Sequence, residues 1–140
     1  KVPLLLAAFM AGLVAGGALG RRRRRPGRAD LPLVQAGFVL LLASTPAALR
    51  GTGGEVLTFG LLGLFGLLGG FLFVAASRIV GQERPHPGLA YGVDLVASFA
   101  GAVLAAALFI PLFGIPALIL RLAFLNALCG LYLLAPGRPA

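Results

Sequence analysis

The chain has 140 residues, a net charge of +8 at pH 7 and a pI near 11.6, figures that alone suggest a protein collecting polyanions through Lys and Arg. Only 11% of its residues are charged, however, and 59% are hydrophobic, with mean hydropathy +1.01, whereas soluble domains carry about 25% charged residues. The balance excludes an ordinary soluble nucleic-acid binder and points to an integral membrane protein.

About 20 apolar residues make one helical crossing of a bilayer, and five such segments fit. They fall at about 2–19, 31–49, 56–77, 89–110 and 115–135. The alternation of a barrel strand is missing, and only helices or closed barrels span lipid, so the expected fold is an all-α transmembrane bundle.

The first span follows Lys1 rather than Met, as in a processed chain or an interior piece of a longer one. A secretory signal is the rival reading of 1–20, but the arginine cluster that follows is stop-transfer chemistry. Ala8, Gly12, Gly16 and Gly20 recur every four residues, a stripe that lets another backbone come close. Next comes GRRRRRPGRAD, with Arg21, Arg22, Arg23, Arg24, Arg25 and Arg28. Held between two spans, these side chains lie at the headgroups, where each gains about 1 kcal/mol from anionic lipid. No aromatic platform or recognition helix accompanies them, so nucleic acid is not an expected partner.

The third span contains FGLLGLFGLLGGFLF. Gly63, Gly66 and Gly70 fall within about 60° of one another at 100° per residue, and Gly66 to Gly70 is a GxxxG. Static packing is the simple reading, and a sliding or gating surface the functional one. A phosphate-binding loop is excluded, because the strand-loop-helix context and the Lys-Ser/Thr pair are missing.

In the fourth span, Tyr91, Asp94, Ser98, Gly101 and Ala105 lie within about 80° of one another, a face expected to point into the bundle. Asp94 stands about 9 Å along the helix from Gly88. A central carboxylate costs about 2.5 to 3.5 kcal/mol, so such residues are candidates for proton or cation handling. The structural alternative pairs Asp94 with Arg78, with Tyr91 shielding it.

The fifth span carries Arg121, expected to snorkel outward, Asn126, expected to bond across helices, and Cys129, expected to be a small buried hydrophobe. With one cysteine there is no internal disulfide, and no zinc spacing occurs. His86, the only histidine, reads as a solvated loop residue. No nucleophile-base set or carboxylate pair is present, so no catalytic residue, metal site or cofactor is expected. Nine Arg side chains fall on the side of the 21–28 loop and the C-terminus, against Lys1 and Arg50 on the other. The positive-inside rule then puts the N-terminus outside and the C-terminus in the cytoplasm.

The motifs GFLFVAAS (70–77), GLAYGVDLVASFAGAVLAAALFIPLFGIPALI (88–119) and LAFLNAL (122–128) resemble the membrane domain of spermidine synthase-like bacterial membrane proteins. Tyr91, Asp94, Gly101, Pro111, Gly114 and Asn126 match that family's motif positions, while Val74 replaces its usual Pro and Ala97 its first helix-4 Gly. The resemblance covers about the last 70 residues, and the first 70 only in hydropathy and glycine content. It implies a membrane domain to which longer members attach a cytoplasmic aminopropyltransferase-type domain. The donor site of such a domain is absent from these residues, so the resemblance does not assign them polyamine synthesis.

The expectation is a non-catalytic scaffold or anchor subunit of a larger complex in a bacterial inner membrane, self-associating or bound to other subunits, with anionic lipid at its arginine loop. The alternatives are a transporter domain with Asp94 as the coupling carboxylate, for polyamine or another cation, and the detached membrane domain of a spermidine synthase-like enzyme. Tyr91, Asp94, Ser98, Arg78 and Asn126 are the candidate polar site. Gly12, Gly16, Gly66, Gly70 and Gly101 are the candidate packing positions.

Overall fold

The structure, a computed structural model, describes residues 2–22, 30–50, 54–83 and 87–134. These residues are helical: α1 (Val2–Arg22), α2 (Asp30–Arg50), α3 (Gly54–Glu83), α4 (Pro87–Leu104) and α5 (Ile110–Leu134), with a π-helical turn at Ala105–Phe109. Four stretches are long and apolar enough to cross a membrane: Val2–Arg22, Asp30–Ala47, Glu55–Arg78 and Tyr91–Leu134. The all-α reading therefore holds. The division into spans at 89–110 and 115–135 is modified, because the helix continues past Ile110 and non-helical geometry is confined to Gly114.

Proline chemistry accounts for that region. Within α4 and the π turn, Ile110 donates its N–H to the carbonyl of Ala105, five residues back. Pro111 has no N–H, and its ring would press on the carbonyl four residues before it in a tight α turn; the wider π turn relieves that crowding. Gly114 then takes φ 74 and ψ 164, a backbone region essentially reserved for glycine. Pro116 follows in the first turn of the resumed helix, where a missing N–H costs nothing.

The tightest packing joins α1 to α3. A Cβ on Gly12 would overlap the carbonyl of Gly63, and one on Gly16 that of Leu67; reciprocally, Gly66 receives the carbonyl of Phe9 and Gly70 that of Leu13. Numbering rises together along both helices, so α1 and α3 run parallel. Two backbones in direct contact replace the hydrophobic drive that lipid cannot supply with dispersion and Cα–H···O contacts.

Against the same helix α2 runs antiparallel. Val34, Phe71 and Ala75 form the buried core, flanked by Leu31, Phe38, Leu68 and Leu72. Phe38 and Phe65 stack obliquely with centroids 6.2 Å apart. Gly37 admits Leu68, whose Cδ1 would lie 3.1 Å from a Cβ there. On the outer side α2 carries α5, where Gly130 faces the Cβ of Gln35. Ser44 and Thr45 turn their hydroxyls onto the carbonyl of Leu41, the local bonding that satisfies such groups within lipid, just ahead of Pro46.

Helix α4 stands apart. Among the described residues, its Cα atoms come within 8 Å of other elements only at α3 and at the adjoining π turn. Its face of Tyr91, Asp94, Ser98 and Gly101 is exposed rather than turned into the bundle, and a Cβ at Gly101 would meet nothing within 4 Å. Among the described residues, then, no neighbour packs against Gly101.

A Gly16→Leu substitution is expected to cost at least about 1 to 3 kcal/mol, since a rigid backbone carbonyl occupies the space its side chain needs. Gly69→Ala, with nothing within 4 Å, is expected to be neutral or stabilising by up to about 1 kcal/mol. Unfolding of the purified variants in mixed micelles, followed by circular dichroism, measures both.

Candidate functional site

The parallel pairing of α1 and α3 brings their C-terminal ends together. Arg78 on α3 donates from Nη2 to the carbonyl oxygen of Arg21 at 3.2 Å. That carbonyl belongs to the last turn of α1, which lacks intrahelical partners and carries the negative end of the helix dipole. A guanidinium satisfies both needs, so Arg78 caps α1. Arg21 and Arg22, both exposed, sit at the same end and make it strongly basic. Arg23, Arg24, Arg25 and Arg28 lie outside the described residues, as do Lys1, Arg84, His86 and Arg138.

Beside this basic end is an open groove of about 330 Å³. It exists because α1 and α2 both pack on α3 but not on each other: among the described residues no Cα of one comes within 8 Å of the other. Leu67, Leu68 and Phe71 of α3 form its floor. Leu19 supplies the α1 wall, Leu33 and Val34 the α2 wall, and Asp30, at the first turn of α2, marks its mouth.

The polar residues singled out in the sequence are not gathered into one site. Tyr91 is 56% exposed and does not shield Asp94, which is itself exposed and has no bonded partner among the described residues. Ser98 is exposed on the same helix. Arg78 is engaged with α1.

On α5, Asn126 donates from Nδ2 to the carbonyl of Leu122 at 2.8 Å, bonding within its own helix rather than across to another. One turn of helix offers that acceptor locally, whereas no neighbouring helix is needed for it. Arg121 is exposed but folds back, with its guanidinium carbon 3.4 Å from the centroid of the Phe113 ring, a cation–π contact across the Gly114 break. Cys129 is exposed, not buried, since it points away from the Ala123 and Gly130 side that packs inward.

Two features escaped the sequence reading. Gln35 places its Oε1 in a buried position with no hydrogen-bond partner among the described residues, against Gly130 of α5. A polar residue in an apolar span is a visible signal, but its partner helix is not. The Arg78 cap escaped because its acceptor is backbone. Among the described residues no group of His, Cys, Asp and Glu is arranged to hold a metal ion. Comparison with protein-family models, curated proteins and solved structures finds no match to this chain.

An Arg78→Gln variant is expected to lose about 0.3 to 1 kcal/mol at the end of α1, the worth of a partly exposed cation at a helix C-terminus. Hydrogen exchange resolved by residue should show faster exchange in the last turn of α1, with α2 unchanged.

Proposed function

We propose that the chain is a non-catalytic helical scaffold or anchor subunit of a larger assembly in a bacterial inner membrane. The observation that carries this reading is α4, an apolar helix bearing a carboxylate that the described residues leave uncovered. Val96 is 70% exposed and Phe99 72%, and Asp94 shares that helix. A carboxylate facing hydrocarbon costs about 2.5 to 3.5 kcal/mol near the centre of a span, less toward the interface. A protein surface laid against α4 removes that cost and supplies small-residue contact along Ser98 and Gly101.

The proposal includes five crossings. The Tyr91–Leu134 stretch is 44 residues, or about 66 Å of helix against a hydrocarbon core of about 30 Å. Two crossings separated at Gly114 fit that length. Gly130, near the end of α5, lies beside Gln35, near the start of α2, which supports a returning fifth helix whose C-terminus shares the basic end of the bundle. The excess of arginine at that end supports a cytoplasmic C-terminus.

A photo-crosslinking residue placed at Val96 in native membranes is expected to give a discrete protein adduct, either a partner chain or a second copy. The same residue at Leu40, 71% exposed on α2, provides the comparison and is expected to give lipid adducts alone. A chain that is monomeric by native mass spectrometry and yields no protein adduct at position 96 contradicts the scaffold reading.

A further inference from the structure

We propose that the groove between α1 and α2 binds one anionic phospholipid, its acyl chain lying along Leu67, Leu68 and Phe71 and its phosphate beside Arg22. The floor and walls are apolar, and both flanking helices are long and apolar enough to cross a membrane. Acyl chains are therefore the medium at this groove. Its volume of about 330 Å³ is at the lower end of ligand pockets, which run from about 300 to 1,000 Å³.

Charge complementarity selects the headgroup. Leu19 on the groove wall and Arg22 three residues later share a face of α1, so the wall leads directly to a guanidinium. Arginine pairs with phosphate through two parallel N–H donors. The last turn of α1 alone would repel a phosphate, because its carbonyls carry partial negative charge. Arg78 removes that obstacle by bonding to the carbonyl of Arg21. This site is separate from α4 and does not depend on the chain being a subunit.

The test is native mass spectrometry of the intact protein in detergent, with added phosphatidylglycerol, phosphatidylcholine or glycerol phosphate. The wild type is expected to retain one phosphatidylglycerol in preference to phosphatidylcholine by about fivefold, Arg22 contributing about 1 kcal/mol. Leu33→Trp, which fills the groove, is expected to abolish retention, while Leu40→Trp, equally exposed on α2, leaves it unchanged. Arg22→Gln, at an exposed position where folding is not at stake, should retain lipid but lose the preference, while Arg21→Gln, on the opposite side of α1, should keep it. Equal retention by Leu33→Trp, no preference in the wild type, or competition by glycerol phosphate as strong as by the lipid would each overturn the proposal.

Discussion

Everything else in this bundle depends on the contact of α1 with α3 through glycine. Carbonyls of Phe9 and Leu13 sit where side chains of Gly66 and Gly70 would be, and carbonyls of Gly63 and Leu67 do the same at Gly12 and Gly16. Lipid chains are as apolar as leucine, so burial alone gives no reason for two such helices to associate. Close backbone approach does, and it fixes their register within a fraction of a turn. Parallel α1 and α3 require α2 to run back in the opposite direction, which it does against α3 along Val34, Phe71 and Ala75.

From that arrangement the basic end follows. The C-termini of α1 and α3 meet, Arg78 caps α1 through the Arg21 carbonyl, and Arg21 and Arg22 lie at the same end. Because α3 holds α1 and α2 on different sides of itself, the two consecutive helices are left with an apolar cleft between them. Helix α4 receives none of this packing. Its carboxylate and aromatic side chains are exposed, and among the described residues it comes near only α3 and the π turn.

Sequence periodicity says which residues share a helix face, and it says this well. It placed Gly12 with Gly16 and Gly66 with Gly70, and those residues line one seam. It also grouped Tyr91, Asp94, Ser98 and Gly101 on one face, but the direction of a face depends on neighbours, and α4 has few. The same spacing thus gave an interior face in one helix and an outward one in another. The short connection expected at 111–114 is helical up to a single residue of positive φ, Gly114, between Pro111 and Pro116. Arg78 was legible as a charge but not as a cap, because its acceptor is a main-chain carbonyl that no residue type advertises. Cys129 and Asn126 show the same limit, since an apolar helix reveals its composition before it reveals which side is covered.

The seam can be tested in place with cysteines. A Cβ at Gly20 would lie 3.2 Å from the Cβ of Val74, close to the separation of about 3.5 to 4.5 Å that a disulfide spans. In a Cys129→Ser background, with a protease site inserted between α2 and α3, Gly20→Cys with Val74→Cys should oxidise in native membranes and hold the cleaved halves together until reductant is added. Gly20→Cys with Gly69→Cys, where nothing lies within 4 Å of Gly69, should not. Halves of the first variant that separate without reductant would contradict the parallel α1–α3 pairing and, with it, the common basic end and the groove.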